Sequence, residues 1–195
     1  GTSCRLSPFR SAATAAIVIC CDIWHKVRSP TGKSQRTKKS KICWTLCLAN
    51  RKLPNQTPVA LFEGVAEMLS QLRQTGFDWG IVTNKAIELA RPLCEAKGIA
   101  KNAACILSGQ SFAAAKPAPD ALLHAMETLG YAACETIYVG DDARDAQAAA
   151  NAGVPFIAAT WGYTGSGAAV SDWGAAALAR QVSELPELAA RLLSR

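Results

Sequence analysis

The sequence comprises 195 residues, of which 50% are hydrophobic and 18% are charged, a balance that excludes a disordered chain and predicts one globular core. No apolar run approaches the roughly 18 residues that a membrane-spanning helix requires, which argues against a membrane protein. The formal net charge of +6 is unevenly distributed. Residues 1–58 carry eleven Lys or Arg and one acidic residue, whereas residues 59–195 carry ten Lys or Arg and fourteen acidic residues. This break predicts an atypical basic Cys- and Lys-rich start over 1–58 and a regular core over 59–195.

The basic start contains one apolar run, residues 15–21, which we interpret as a buried strand. The run KSQRTKKSK, residues 33–41, lacks interleaved aromatic side chains, which favours a solvated segment over a nucleic-acid-binding surface. Five of the eight cysteines lie in the first 47 residues. They have neither the paired spacing of a zinc site nor the context of a small disulfide-stapled domain. We therefore expect reduced cysteines and a cytoplasmic location.

From residue 64 onward, apolar side chains recur at helical spacing in some stretches and form short continuous runs in others. Glycines or prolines separate most of these stretches, as expected at helix ends. The alternation predicts an α/β fold, in which helices cover both faces of a mostly parallel sheet. The predicted helices cover residues 64–74, 87–97, 117–129, 143–152 and 185–193, and the predicted strands cover residues 78–82, 103–107, 136–139 and 156–159.

Polar side chains follow three of the predicted strands, at the edge of a parallel sheet where ligands bind. Thr83 and Asn84 follow the first of these strands, Lys116 lies in the loop after the second, and Asp141 and Asp145 follow the third. A hydroxyl and an ammonium bind phosphate, because the hydroxyl donates a hydrogen bond and the ammonium cancels charge. Carboxylates bind Mg²⁺, which takes oxygen ligands. Together these groups indicate phosphoryl transfer.

Three motifs carry a resemblance to a known family. TNK at 83–85, KPAPD at 116–120 and VGDDARD at 139–145 resemble, in order and spacing, the second to fourth motifs of the haloacid dehalogenase superfamily. Within this superfamily, the phosphoglycolate phosphatase branch is similar in sequence to two stretches of the chain, LFEGVAEMLSQLRQTGFDWGIVTNK and WGY. WGIVTNK and GDDARD are especially similar to bacterial N-acetylmuramic acid 6-phosphate phosphatases. The resemblance covers residues 58–195 and implies a three-layer, Rossmann-like α/β core.

The resemblance also implies a role for each residue of the rim. Thr83 binds the transferring phosphoryl group, and Asn84 flanks it. Lys116 bridges the phosphate and the attacking carboxylate. Asp141 and Asp145 form the Mg²⁺ site, Asp141 as a direct ligand and Asp145 as a group that orients the ligand shell or Lys116. These roles are expectations taken from the family.

The first motif of the family, D-x-D-G-[TV] at the end of the first strand, has no match in this sequence. Asp22 is the only acid in residues 1–58. If the run 15–21 forms the central strand, Asp22 lies at its carboxyl end, where the attacking group belongs, and Trp24 stands at the position of the acid/base group. Only 38 residues separate Asp22 from Leu61, so the helical cap is truncated or absent. We favour the interpretation that 1–58 is a frameshifted, mispredicted or foreign start.

The resemblance implies Mg²⁺-dependent hydrolysis of a small phosphorylated metabolite through an aspartyl-phosphate. The substrate is expected to be phosphoglycolate or a sugar phosphate such as N-acetylmuramate 6-phosphate. A second hypothesis is a non-catalytic protein that binds phosphate and Mg²⁺, lacks the attacking group, and uses the basic start as an interaction arm. A third is a chain that does not fold stably because its central strand is makeshift. The sequence leaves the oligomeric state open.

Overall fold

The computed structural model describes residues 15–20, 25–27, 59–162, 164 and 169–194, with 25–27, 59 and 60 described by their backbone, and the structural statements below concern these residues. The strands are β1 (Ala15–Cys20), β2 (His25–Val27), β3 (Val59–Leu61), β4 (Phe77–Thr83), β5 (Ile106–Ser108), β6 (Thr136–Gly140), β7 (Phe156–Ala159) and β8 (Ala177–Ala179). The α-helices are α1 (Val65–Gln74), α2 (Ile87–Ala96), α3 (Asp120–Leu129), α4 (Ala143–Ala152) and α5 (Leu185–Leu193).

Six of the strands form one parallel sheet in the order β5-β4-β1-β6-β7-β8, while β2 and β3 pair antiparallel in a separate ribbon. β1 lies inside the sheet, where Ile17 pairs with Trp79 of β4 on one side and with Ile137 of β6 on the other. All six residues of β1 are buried, as its continuous apolar sequence AAIVIC allows. The strand predicted over residues 15–21 is therefore present as β1, with Cys21 outside the described residues.

Two hydrophobic clusters cover the two faces of the sheet and give the molecule three layers. Ile17 and Ile19 of β1 belong to the cluster shared with α1, α2 and α5, whereas Val18 and Cys20 belong to the cluster shared with α3 and α4. This alternation follows from the period of two along a strand, which directs successive side chains to opposite faces. The predicted α/β class with a parallel sheet is confirmed.

Most predicted boundaries agree with the structure within one or two residues. The helix predicted from residue 117 begins at Asp120, because Pro119 occupies the N-cap position. The strand predicted over 103–107 is displaced to Ile106–Ser108, although the Ala104 N–H already donates to the Trp79 carbonyl of β4. β8 was not predicted, because its sequence Ala-Leu-Ala contains no β-branched or aromatic residue.

Two observations concern the expected environment of the chain. Within the described ranges, none of the helices combines the length and the apolar character that crossing a bilayer would require. Cys20, Cys94 and Cys105 are free thiols, whereas Cys134 is disulfide-bonded, so the expectation of fully reduced cysteines is wrong at Cys134.

Burial raises the pKa of Cys105 to about 11, against a smaller lowering effect of a hydrogen bond with the Ile81 backbone.

We predict that Ile17→Ala lowers the free energy of unfolding by about 2–5 kcal/mol, because it removes fully buried carbon atoms from the centre of the sheet and leaves a cavity. Chemical denaturation followed by circular dichroism measures the loss. Leu123→Ala is the control, since that side chain is 46% exposed and its removal should cost less than about 0.5 kcal/mol. A comparably small loss for Ile17→Ala would contradict the internal position of β1.

Candidate active site

The carboxyl ends of β1, β4 and β6 lie at one edge of the sheet, because these neighbouring strands are parallel. Cys20 ends β1, Thr83 ends β4, and Gly140 ends β6 directly before Asp141. The chain builds β4 and β5 on one side of β1 and then crosses to build β6 on the other side. Such a change of direction opens a crevice at the strand ends, which is where open α/β sheets bind ligands.

The Lys116 ammonium lies buried beneath this edge, with 7% of the residue exposed. Its Nζ donates to the Asp145 carboxylate Oδ1 at 2.6 Å, to the Tyr138 hydroxyl at 3.1 Å and to the Cys20 sulfur at 3.2 Å. We call these four residues the Lys116 cluster. A lysine ammonium has three N–H donors, so the three acceptors account for all of them. Through these hydrogen bonds, the lysine of the loop after β5 contacts β1, β6 and α4.

Electrostatics keep the Lys116 ammonium charged although it is buried. Burial alone would lower the pKa of Lys116, but the Asp145 charge, with smaller contributions from Cys20 and Tyr138, outweighs burial and holds that pKa well above its ordinary value. Burial and the Asp145 charge raise the pKa of the Tyr138 hydroxyl, while the Lys116 charge opposes this increase. Lys116 is therefore a permanent cation at neutral pH, and Tyr138 keeps its proton.

Asp145 connects the cluster to the start of α4. Its Oδ1 accepts hydrogen bonds from Lys116 Nζ and from the Tyr138 hydroxyl, and its Oδ2 accepts the Asp141 backbone N–H at 3.3 Å. A Cβ atom at Gly140 would lie 2.5 Å from the Asp145 Cβ and 2.6 Å from its Oδ2. Glycine at position 140 is thus required for this close approach. Asp145 fixes both the ammonium of Lys116 and the backbone of Asp141.

Asn84 holds the loop that carries Lys116. The Asn84 amide nitrogen donates to the Lys116 carbonyl, and its Oδ1 accepts the Lys116 backbone N–H, both at 3.1 Å. A Cβ atom at Gly109 would approach the Asn84 Oδ1 to 2.6 Å, so the absence of a side chain at Gly109 makes room for this pair of bonds. The sequence predicted that Asn84 flanks the phosphate; the structure assigns its side chain a contact with the lysine loop.

Thr83 is fully buried at the end of β4. Its Oγ1 accepts the backbone N–H of Lys85 at 3.0 Å. Accepting this bond leaves the hydroxyl proton as a donor, since a threonine oxygen both donates and accepts. The hydroxyl is therefore held in place at the strand end by the turn that follows it.

Asp142 has a different task from its two acidic neighbours. It is the N-cap of α4, where its Oδ1 accepts the Arg144 backbone N–H, and its two carboxylate oxygens accept from the Arg144 guanidinium at 3.0 and 3.1 Å. An aspartate at this position satisfies an N–H group that the first turn of a helix leaves unbonded. This carboxylate therefore serves the helix start.

The donor set at the rim fits a divalent cation. Carboxylate oxygens of Asp141 and Asp145 and the Cys20 sulfur lie within 4.8 Å of one another, and the three residues are buried. A Cβ atom at Gly162 would lie 2.4 Å from the Asp141 Cβ, so the backbone of the β7 loop can approach this carboxylate only because residue 162 is glycine. Two neighbouring carboxylates are ligands that Mg²⁺ accepts, whereas a thiol is a ligand for softer metals.

Sequence reasoning missed two members of the Lys116 cluster. Tyr138 lies within a strand whose residues are all buried, so the pattern predicted only core packing. Cys20 lies in an apolar strand, and its position at the carboxyl end of a predicted central strand was the available signal. Asp22 and Trp24, predicted at the attacking and acid/base positions, lie outside the described residues. Of the described residues, Cys20 is the one that brings β1 into contact with Lys116 Nζ.

Comparison with known proteins agrees with the motifs. The sequence model of the family described as "Haloacid dehalogenase-like hydrolase" matches residues 28–159. A phosphoglycolate phosphatase of Xanthomonas campestris pv. campestris is 42% identical over 134 residues, which cover 69% of this chain and 61% of that protein. An N-acetylmuramic acid 6-phosphate phosphatase of Pseudomonas putida is 34% identical over 115 residues, which cover 59% of this chain and 52% of that protein. The chain thus spans between half and two thirds of the length of these curated relatives.

A solved structure shares the fold over nearly the whole chain. The crystal structure of a conserved haloacid dehalogenase-like protein of unknown function from Agrobacterium tumefaciens aligns with a TM-score of 0.71. The alignment covers 92% of this chain and 99% of that chain at 18% sequence identity. At this identity the likeness establishes the architecture, and the site must be argued from the residues of this chain.

We predict that Asp145→Asn lowers the free energy of unfolding by about 3–5 kcal/mol, because it leaves the Lys116 charge buried without its carboxylate. Asp142→Asn is the matched control: asparagine is also a good N-cap, and the exposed pair with Arg144 contributes less than about 1 kcal/mol. Urea denaturation of the two variants and the wild type measures the difference. Equal losses of unfolding free energy in both variants would show that the buried ion pair contributes no more to stability than the exposed one.

Proposed function

We propose that this chain, which belongs to the haloacid dehalogenase-like hydrolase family, is a Mg²⁺-dependent hydrolase of small phosphomonoesters. One observation carries the proposal: a permanently charged ammonium, a strand-end hydroxyl and two buried carboxylates lie at one edge of a parallel sheet. A cation, a hydroxyl donor and a metal site are what phosphoryl transfer requires, because most of its rate comes from positioning and charge cancellation.

The substrate that we propose is phosphoglycolate or a sugar phosphate such as N-acetylmuramate 6-phosphate. Similarity to a phosphoglycolate phosphatase and to an N-acetylmuramic acid 6-phosphate phosphatase supports both. The partner of the chain is accordingly a small phosphorylated metabolite, and its proposed location is the cytoplasm.

Each residue of the rim has a part in the proposed reaction. Thr83 donates a hydrogen bond from its hydroxyl to a phosphoryl oxygen, and Lys116 places its charge against the same group. Asp141 is the direct ligand in the proposed Mg²⁺ site, and Asp145 orients Lys116 and the Asp141 backbone. Bound Mg²⁺ would supply charge cancellation on the phosphoryl oxygens. The rigid contacts of the Lys116 cluster reduce the reorganisation that the reaction needs.

The attacking group distinguishes two candidate functions. As a hydrolase, the chain uses the Asp22 carboxylate to attack phosphorus; the ester oxygen leaves with the bonding pair and takes its proton from solvent, and water then hydrolyses the aspartyl-phosphate. One observation favours the second candidate, a non-catalytic protein that binds phosphate and Mg²⁺. The group that the described end of β1 presents to Lys116 is the Cys20 thiol rather than a carboxylate.

We predict that the wild type hydrolyses p-nitrophenyl phosphate in Mg²⁺ and that Asp22→Asn abolishes the activity. Release of p-nitrophenolate, followed by absorbance, measures the rate. EDTA should stop the reaction, and Asp142→Asn, which alters only the start of α4, should leave it unchanged. Phosphate binding without turnover would decide for the non-catalytic candidate.

For the non-catalytic candidate, we predict that Cys20→Asp confers turnover of p-nitrophenyl phosphate about a hundredfold or more above that of the wild type, because it adds an attacking group, whose loss costs enzymes far more than that. The reason is positional, since the new carboxylate would replace the sulfur that contacts Lys116 and would stand two residues before Asp22. Cys20→Asn is the control, because it places a side chain of similar size but without a carboxylate at the same position. Cys94→Asp is unsuitable, because it would place a charge in the core. An increase that Cys20→Asn shares would contradict nucleophilic attack by the carboxylate.

A further inference from the structure

We propose that the Cys20 thiol occupies the place on Lys116 that a phosphoryl oxygen takes, so that an anion enters the site only by displacing this contact. The inference rests on the proposed phosphate site and adds a residue that sets the affinity of that site. It concerns the chain as it stands, whether or not it turns the ester over.

The first step is the number of donors on Lys116. The ammonium has three N–H groups, and Asp145, Tyr138 and Cys20 accept one each. A phosphate oxygen that bonds to Lys116 must therefore replace one of these acceptors. The free energy of the contact that is given up is subtracted from the free energy of phosphate binding.

The second step is which acceptor is replaced at least cost. Asp145 accepts at 2.6 Å as a charged group, and such charge-assisted bonds are the strongest of the three types. Tyr138 offers a hydroxyl oxygen that is itself fixed, because it donates to Asp145 at 3.0 Å. The sulfur of Cys20 is a weak acceptor. The contact with Cys20 is therefore the one that an incoming oxygen displaces.

The third step is the direction in which each N–H points. Cys20 is the last residue of β1, at the edge where Thr83 ends β4. Tyr138 pairs with Val18, two residues before Cys20, which places its backbone about 6–7 Å farther from the strand ends. The N–H directed at Cys20 therefore points to a residue at the strand ends, whereas the Tyr138 backbone lies deeper in the sheet.

The test is titration calorimetry with inorganic phosphate in the presence of Mg²⁺. Cys20→Ala removes the acceptor, so phosphate should bind about five- to tenfold more tightly than to the wild type, as expected for the net value of one hydrogen bond. Cys20→Val also lacks an acceptor and suits a β-strand, so it provides the same test if Cys20→Ala folds poorly. Cys20→Ser retains an acceptor, and a hydroxyl oxygen is a stronger one than sulfur, so this variant should bind phosphate no more tightly than the wild type.

Matched variants separate this effect from a general change in packing. Cys94→Ala removes another fully buried free thiol, in α2, and should leave the phosphate affinity unchanged. Tyr138→Phe removes the deeper acceptor and should not increase the affinity. A purely structural role for Cys20 predicts equal or weaker binding when it is replaced, so the sign of the change is diagnostic.

The outcomes also distinguish the inference from the proposed function. If the wild type binds phosphate and the Cys20→Ala and Cys20→Val variants bind no more tightly, the inference is wrong and the proposed site stands. An equal gain in affinity from Tyr138→Phe or Cys94→Ala would likewise overturn it. If neither the wild type nor any variant binds phosphate, both the inference and the proposed function fail.

Discussion

The buried ion pair between Lys116 and Asp145 is the interaction on which the site depends. A charge removed from water is costly unless a partner and further hydrogen bonds compensate it, and here both are present. Asp145 also holds the Asp141 backbone, while Asn84 holds the backbone of Lys116. The positions of the ammonium and of the Asp141 backbone are therefore set by one continuous network, which extends from the β5 loop to the first turn of α4.

β1 joins this network to the basic start of the chain. Its apolar residues fill an internal position of the sheet and bury side chains on both faces, so the sheet is continuous from β5 to β8. Its last residue, Cys20, lies against Lys116 and precedes Asp22 by two positions. The groups proposed to bind phosphate and metal come from the part of the chain with family motifs. In the proposed reaction the attacking group, Asp22, comes from residues 1–58, where the first motif of the family has no match.

The sequence predicted the fold where local patterns decide it. Apolar spacing located α4 and β7 at their observed residues, but β8 was missed because three small or unbranched residues give no strand signal. Motif spacing found the lysine and the carboxylates, because their chemistry is visible in the residue type. The contributions of Tyr138 and Cys20 were not predictable in the same way. A hydroxyl or thiol within an apolar strand resembles core packing until the register of neighbouring strands and the reach of Lys116 are known.

A crystal structure of the chain grown with Mg²⁺ and inorganic phosphate tests the central claim most directly. We expect phosphate at the carboxyl edge, within hydrogen-bond distance of the Thr83 hydroxyl and of Lys116 Nζ, with an Asp141 oxygen on the metal. The Lys116–Asp145 contact should persist in that complex. Phosphate bound elsewhere, or a metal that Asp141 does not contact, would contradict the account.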